Sequence, residues 1–339
     1  MTENKPSLKF VAHRMNLGDF ANISNNFIDN SLEALLSISS IIHDAENLKG
    51  FECDVKLTKD GELVVIHDGY LKSVTKDKDT SFIRDLTFKE LEEKILTDIR
   101  WYYKGLIVRS NLFREGKTLR DILRNKLSET THILKASDML DYLSSIKYKG
   151  EIIIELKNDK DKLETDDIKD RRCDALIELV NAYWFKLNIA VQSYDLERMD
   201  YVKEKTNAKV GALCSLGKDG NPIKVDQAYI REHDFDFYSL MWPRLSEQIL
   251  IALIEEEKGL YTWTIDSSRH LLTVLNKLAR FKKHFGVIPD YINLITNIPL
   301  MLNDFINGTN FDFMILDNIE RKYDFIYDDV SSMRSRHNR

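Results

Sequence analysis

The sequence predicts an α/β protein built as a (β/α)8 barrel, with an extended connection between its second and third strands. Eight short apolar runs are typical of buried parallel strands: LKFVA, FECDV, EIIIE, NIAVQ, KVGAL, FDFYSL, GLYTW and DYINLI. From residue 151 onward, amphipathic segments of helical spacing separate successive runs, which is the alternation of such a barrel. Barrel enzymes carry their chemistry at the carboxyl ends of the strands, and polar side chains gather there in this sequence.

The length and composition fit one large domain. The chain has 339 residues, of which 31% are charged, and a formal net charge of −6. We expect the barrel to occupy residues 1–310 and a C-terminal extension and tail to occupy 311–339. Within the barrel, 69–150 would be the extended connection, and its aromatic and basic stretch 101–113 is either a lid or an ordinary satellite cluster. Acidic and basic residues are interspersed, so no basic field indicates nucleic acid as a partner.

The N-terminal sequence MTENKPSLKF lacks the apolar region of a signal peptide. No run approaches the roughly 18 apolar residues that a transmembrane helix requires. The expectation is therefore a cytoplasmic protein without a transmembrane segment. Cys53, Cys173 and Cys214 lack metal-site spacing and are predicted to be buried free thiols. No feature of the sequence indicates the oligomeric state.

Two acidic residues at the end of the second predicted strand form the centre of the candidate site. Side chains alternate along a strand, so Glu52 and Asp54 project to the same side, their Cα atoms roughly 6 to 7 Å apart. After an Asp-Gly turn at 60–61, a second run ends at His67 and Asp68. Converging carboxylates repel unless they share a proton or a cation. The pattern indicates a metal-assisted acid/base site, whereas the alternative is an edge hairpin with a solvated polar face.

Further polar residues follow the other predicted strands. His13 and Arg14 follow the first strand, where Arg suits phosphate and His can move a proton near neutral pH. Glu155 and Lys157 stand at the end of the third strand and point to one side. Trp263 closes the seventh strand. Three carboxylates on neighbouring strands suit one hard divalent cation, Mg²⁺ or Ca²⁺, and the basic residues suit phosphate.

These motifs in this order resemble the glycerophosphodiester phosphodiesterase family, whose members are phospholipase C-like TIM barrels. The resemblance spans residues 8 to about 305 and rests on His13-Arg14, Glu52-x-Asp54, His67-Asp68, Glu155-Leu156-Lys157, Gln192-Ser193-Tyr194, Trp263-Thr264-Ile265 and Ile295-Thr296-Asn297-x-Pro299. It implies a hydrolase of lipid metabolism that cleaves a glycerophosphodiester to glycerol phosphate and an alcohol.

The resemblance also implies roles for individual residues. Glu52, Asp54 and Glu155 would bind the divalent cation, while His13 and His67 would act as the acid and the base. Arg14 and Lys157 would hold the phosphate, and Trp263 would pack on the glycerol or apolar part of the small-molecule phosphodiester. Which histidine is the base, and whether water or a substrate hydroxyl attacks, stays open. The ordinary alternative for Trp263 is a core residue of the barrel.

Two departures from the family pattern affect the first loop. Members carry Gly after the His-Arg pair and Pro-Glu-Asn-Thr before the first helix, whereas this chain has Met15 and Ile28-Asp29-Asn30-Ser31. A side chain at Met15 would narrow the mouth of the site or reshape the first loop. The alternatives are a sphingomyelinase D-like or lysophospholipase D-like phosphodiesterase, or a non-catalytic protein that binds phosphodiesters. Sphingomyelinase D-type proteins are secreted and disulfide-bonded, and this chain shows neither signal.

Overall fold

The computed structural model contains a closed barrel of eight parallel strands. It describes residues 7–17, 29–42, 47–71, 79–94, 132–158, 164–214, 225–265, 268–285 and 291–296. Hydrogen-bonded pairing runs around the ring, and the first strand pairs with both the second and the last, which closes the barrel. The predicted fold class is confirmed, and each of the eight predicted runs forms a barrel strand.

The strands have the following bounds: β1 Ser7–Ala12, β2 Leu48–Leu57, β3 Leu63–Val65, β4 Leu134–Lys135, β5 Glu151–Leu156, β6 Asn188–Ser193, β7 Lys209–Cys214, β8 Phe237–Met241, β9 Gly259–Trp263 and β10 Tyr291–Thr296. The helices are α1 Leu32–Ile41, α2 Phe88–Glu92, α3 Ala136–Ser145, α4 Asp166–Tyr183, α5 Leu196–Lys205, α6 Gln227–Glu232, α7 Glu247–Glu255 and α8 Ser268–Phe285. Strands β3 and β4 lie outside the parallel ring and pair antiparallel.

Side-chain caps fix where several helices begin. The Ser31 hydroxyl accepts the Ala34 N–H at 3.2 Å and starts α1, as its position before an apolar helical run predicts. Thr87 and Glu90 form a capping box at the start of α2. Helix α6 is not anticipated by the sequence patterns, because it has only six residues; the Asp226 side chain caps it. None of the helices in the described ranges is long and apolar enough to cross a membrane.

The extended connection between β2 and β5 begins with the predicted hairpin. Gly61 takes a φ of +88°, the positive angle that its Asp-Gly step predicts, and β3 then returns along β2. Strand β4, helix α2 and helix α3 belong to the same connection. The candidate lid 101–113 and the tail 311–339 lie outside the described residues.

The core has an outer and an inner part. The larger apolar cluster lies between strands and helices, and it includes the buried Cys53, Cys173 and Cys214, which are free as predicted. A smaller cluster fills the barrel interior, with Val11, Ile153, Ala190, Phe237, Tyr261 and Ile295 as members. Above this inner cluster, at the carboxyl ends of the strands, inward-facing positions become polar.

Candidate active site

The structure brings six of the eight predicted site residues into direct contact. His13 and Arg14 lie in a single 3-10 turn that follows β1, and Glu52 and Asp54 lie on β2. Glu155 is on β5, with Lys157 just beyond it. Because Asp54 and Glu155 are ladder partners, their side chains leave the same face of the sheet side by side. Within the described ranges, His67 and Trp263 border this set without bonding to it: His67 bonds Asp68, and Trp263 bonds the Ser239 carbonyl.

Glu52, Asp54 and Glu155 form a buried cluster. Each offers a carboxylate oxygen, and these oxygens lie within 4.8 Å of one another. Burial raises the pKa of Glu52 well above its ordinary range, and repulsion from the neighbouring carboxylates adds a smaller effect in the same direction. Burial also raises the pKa of Glu155, although Lys157 opposes that effect. Burial alone would raise the pKa of Asp54, but Lys157 and Arg14 outweigh it, so that the pKa is lowered.

Arg14 and Lys157 act as counter-ions within the cluster. Arg14 Nε lies 3.1 Å from Asp54 Oδ2, and Lys157 Nζ lies 3.1 Å from Asp54 Oδ1. Lys157 also pairs closely with Glu155. The Arg14 guanidinium reaches Asp29 at 3.6 Å, and its backbone N–H donates to Glu52 Oε2 at 3.0 Å. Asp54 is therefore held between two cations, and the predicted phosphate-binding pair borders the carboxylates directly.

The three carboxylates fit a divalent cation. They are buried and converge, and the cluster has three carboxyl groups but only two cationic side chains beside them. Glu52 Oε1 is buried and receives no hydrogen bond from any residue in the described ranges. Carboxylate oxygen is the donor that Mg²⁺ and Ca²⁺ prefer. The cluster can therefore bind one such ion, as the strand alternation predicts, and its chemistry suits either metal.

The two predicted acid/base residues flank the carboxylates. His13 Nε2 lies 3.9 Å from Glu52 Oε2. His67 donates its Nδ1–H to Asp68 Oδ1 at 2.6 Å, since a carboxylate can only accept, and this bond fixes the ring orientation. Burial lowers the pKa of His67, and the hydrogen bond to Asp68 offsets only part of that effect. Burial therefore favours the neutral form of His67, in which Nε2 is the unprotonated ring nitrogen.

Trp263 lies at the carboxyl end of β9, on the opposite side of the barrel from the carboxylates. Its indole Nε1–H donates to the Ser239 carbonyl at 3.1 Å. Its ring meets the ring of Tyr194 edge to face at 6.4 Å and packs on the inner apolar cluster. The side chain is only partly buried, so the site retains an aromatic surface at this rim.

The first loop differs from the sequence-based expectation in two respects. Met15 does not narrow the mouth, because its side chain is fully buried in the larger apolar cluster. Its φ of +63° is a left-handed value that glycine adopts without strain. Sequence reasoning also assigned Asn30 only to a helix start, whereas its side chain hydrogen-bonds Asp54. No local sequence signal specifies this contact, because the two residues are 24 apart in sequence.

Comparison with known proteins identifies the family. The model of the glycerophosphoryl diester phosphodiesterase family matches residues 23–280. The chain belongs to this family. The family is defined by phosphoric diester hydrolysis, so the chain is an enzyme of that class, and the sequence-based resemblance is confirmed. No curated protein sequence matches the chain.

The fold of this chain is similar to solved structures of glycerophosphodiester phosphodiesterases. A Silicibacter pomeroyi protein assigned to this activity has a TM-score of 0.61 at 14% identity, covering 87% of this chain and 91% of its own. An Oleispira antarctica phosphodiesterase in complex with the product sn-glycerol-3-phosphate has a TM-score of 0.58 at 14% identity, covering 88% and 96%. The Thermotoga maritima glycerophosphodiester phosphodiesterase has a TM-score of 0.53 at 18% identity, covering 87% and 97%. At these identities the likeness establishes the shared barrel.

Proposed function

We propose that the protein is a metal-dependent phosphodiesterase that hydrolyses a glycerophosphodiester to glycerol phosphate and an alcohol. The observation that carries this proposal is the buried cluster of Glu52, Asp54 and Glu155 beside Arg14 and Lys157 at the carboxyl ends of the strands. The cluster combines a cation site with two positive side chains, and a phosphodiester anion requires both. The product seen in the Oleispira antarctica phosphodiesterase, sn-glycerol-3-phosphate, agrees with this substrate class.

Arg14 and Lys157 would hold the phosphodiester oxygens in this scheme. A phosphate next to Asp54 competes for the same two cations, and charge-assisted hydrogen bonds to phosphate are among the strongest available to them. Glu52, Asp54 and Glu155 would hold one Mg²⁺ or Ca²⁺, which, when bound, polarises the phosphoryl oxygens and offsets developing negative charge.

His67 fits the role of base and leaves His13 as the acid. A base must be neutral before it accepts a proton, and burial lowers the pKa of His67 while Asp68 fixes its tautomer. His67 Nε2 would take the proton of the attacking hydroxyl as its oxygen bonds to phosphorus. The bond from phosphorus to the leaving alkoxide breaks, and His13 would give that alkoxide its proton. Attack by a neighbouring substrate hydroxyl would form a cyclic phosphate first.

Phosphorus NMR of the products tests the proposal. Purified protein is incubated with a panel of glycerophosphodiesters and lysophospholipids in Mg²⁺, in Ca²⁺ and in chelator, with the His67→Asn variant as a matched control. We expect a glycerol phosphate resonance from a panel member only in the parent enzyme with metal. The same spectra distinguish the nucleophiles, because attack by a substrate hydroxyl gives a cyclic phosphate resonance before glycerol phosphate forms, whereas attack by water gives glycerol phosphate directly.

Each alternative predicts a different product pattern. Turnover confined to lysophospholipids, with lysophosphatidic acid as product, favours the lysophospholipase D-like activity, and turnover of sphingomyelin favours the sphingomyelinase D-like one. Metal and phosphodiester binding without turnover of any panel member supports a non-catalytic binding protein. The divisions at 1–310 and 311–339 and the cytoplasmic location stay predictions from the sequence.

A further inference from the structure

The end of the barrel opposite the candidate active site carries an exposed aromatic pair. Trp184 and Phe185 follow α4, where the chain turns back toward the amino end of β6. Trp184 is 43% exposed and Phe185 is 63% exposed, and the two rings meet edge to face at 6.3 Å. Ile146, at the end of α3, is exposed as well. Apolar residues that are exposed singly are ordinary, but two adjacent exposed rings indicate a surface that binds something apolar.

Three neighbouring turns form one surface around this pair. Each turn leads from a helix into the amino end of a barrel strand, and together they comprise 146–150, 184–187 and 205–209. The strands that they enter, β5, β6 and β7, are adjacent in the ring, since Glu151 pairs with Asn188 and Ala190 pairs with Lys209. The three turns therefore lie side by side, and we call them the amino-end rim.

The amino-end rim is basic. Glu204, in the last turn of α5, is the acidic residue next to it in sequence, and Glu151 is buried and paired with Lys49 at 3.0 Å. Five lysines against Glu204 give a local formal charge of +4. Among the described residues, Lys209 is the one rim lysine in an ion pair, 4.0 Å from Glu151 Oε1. All five rim lysines are exposed: Lys147, Lys149, Lys186, Lys205 and Lys209.

Lysine and aromatic side chains alternate closely on this surface. Lys186 Nζ lies 5.2 Å from the centre of the Phe185 ring. Exposed Trp and Phe rings beside lysines are the combination that binds the interface of a bilayer, because the rings enter the headgroup region while the ammonium groups attract anionic lipid. The long lysine stems also cover apolar surface and keep their charges in water. An acidic protein surface would complement the lysines but would leave the exposed rings unexplained.

We propose that the amino-end rim binds the surface of a bilayer that contains anionic lipid, with Trp184 and Phe185 at the level of the headgroups. The candidate active site lies at the carboxyl ends of the strands, so this orientation turns its mouth away from the lipid and toward water. A water-soluble phosphodiester can then reach the site directly, whereas a lipid substrate must first leave the bilayer. The inference does not depend on the reaction proposed above.

Sedimentation of the protein with vesicles tests the surface. One set contains phosphatidylcholine alone and the other equimolar phosphatidylcholine and phosphatidylserine. We expect the parent to bind the second set and to be released as the salt concentration rises. Lys147→Ala and Lys186→Ala should each weaken this binding about fivefold, and Phe185→Ser should weaken it by at least about tenfold. Leu36→Ser on α1 and Lys89→Ala on α2, which alter equally apolar or charged exposed positions elsewhere, are the matched controls and should bind like the parent.

Fluorescence quenching tests the orientation. Lipids with brominated acyl chains quench an indole that enters the bilayer interface, and they should quench the parent in phosphatidylserine-containing vesicles. Trp184→Phe keeps an aromatic ring at the rim, so it should retain most of the binding while losing most of the quenching. Quenching that persists in Trp184→Phe would place another indole, such as Trp263 at the mouth, against the lipid and would overturn the inference.

The remaining outcomes are equally decisive. The side chains that are replaced are exposed, so the melting temperatures of the variants should match that of the parent. A parent that binds neither vesicle, or binds both equally, overturns the inference, as do Lys186→Ala and Phe185→Ser variants that bind like the parent. Self-association that Phe185→Ser abolishes, without vesicle binding, would assign the amino-end rim to a second copy of the chain instead. Failure of the hydrolase assay would leave this inference unaffected, because vesicle binding requires no turnover.

Discussion

Asn30 and Asp54 form two hydrogen bonds with each other across the first loop and β2. The Asn30 side-chain Nδ2 donates to Asp54 Oδ2 at 2.9 Å, and its Oδ1 accepts the Asp54 backbone N–H at 3.3 Å. Asn30 is itself fixed, because its backbone N–H donates to the Arg14 carbonyl at 3.0 Å. This one side chain therefore sets the position of both the backbone and the carboxylate of Asp54.

Replacing Asn30 should weaken metal binding without removing a ligand. In Asn30→Ala, Asp54 loses the partner that orients it, and loss of such an outer contact typically costs about 10- to 100-fold in metal affinity. The measurement is the rise in melting temperature during a Mg²⁺ titration. Asn181→Ala is a suitable control, since that exposed amide donates to the Lys205 carbonyl on the outer helices. Equal Mg²⁺ affinity in Asn30→Ala and the parent would show that Asn30 does not position Asp54.

Replacing Asp54 should remove metal-induced stabilisation altogether. The parent should gain about 2.7 kcal/mol at a metal concentration 100 times Kd. Asp54→Ala should gain almost nothing and lose most activity, and its metal-free form should be destabilised because Arg14 and Lys157 each lose one of their two carboxylate partners. Asp138→Ala, an exposed acidic residue of α3, is the control. An Asp54→Ala variant that binds metal and turns over like the parent would refute the assignment of the cluster.

Local patterns predicted the barrel and its carboxylates because each depends on short-range geometry. Buried parallel strands are apolar runs, and strand alternation alone places Glu52 and Asp54 on one face. Barrel enzymes carry their chemistry at the carboxyl ends of the strands, so this rule also excludes Glu151 from the candidate site, because that inward carboxylate lies at the start of β5. That residue bonds Tyr261 and pairs with Lys49 at 3.0 Å, far down the barrel.

Features that depend on tertiary contact could not be predicted. The bond of Asn30 to Asp54 joins residues 24 apart in sequence, and no local pattern specifies it. The sequence predicts Arg14 and Lys157 as phosphate ligands, and it does not show that both also form ion pairs with Asp54 in the fold. The direction of the Met15 side chain depends on the positive φ of the turn, which the residue type does not suggest.

Substitutions of Met15 test whether the burial of its side chain outweighs the strain of its left-handed backbone conformation. Met15→Gly should relieve about 1–2 kcal/mol of left-handed strain, but removing a buried Met side chain costs about 2–5 kcal/mol. The net expectation is a free energy of unfolding lower by about 0–4 kcal/mol, with kinetic constants of the folded enzyme close to those of the parent. Met15→Leu, which keeps volume and backbone conformation, should change stability by less than about 1.5 kcal/mol. A Met15→Gly variant that is more stable than the parent, or that accepts bulkier substrates, would contradict the buried placement.

Trp263 should affect substrate binding more than chemistry. The ring is partly exposed at the rim of β9, so Trp263→Ala should raise KM more than it lowers kcat, while Trp263→Phe should retain most affinity through its ring. Steady-state kinetics with a glycerophosphodiester provide the measurement. If Trp263 is instead a core residue, Trp263→Ala would lower the melting temperature and leave both constants of the folded enzyme nearly unchanged.

The pH dependence of kcat/KM should identify which histidine is the base. Loss of a base by protonation removes activity as the pH falls, and burial places the pKa of His67 below its ordinary value of about 6.5. The parent profile should therefore be bell-shaped, with an acid limb that belongs to His67 and lies below that value. His67→Asn should lose the acid limb and about 10²-fold or more in rate while keeping its fold and metal binding. His13→Asn should lose the alkaline limb instead, and Arg14→Ala should weaken binding with both limbs retained. If His67→Asn loses the alkaline limb, the roles are reversed; if it keeps parental rates, His67 is not part of the acid/base pair.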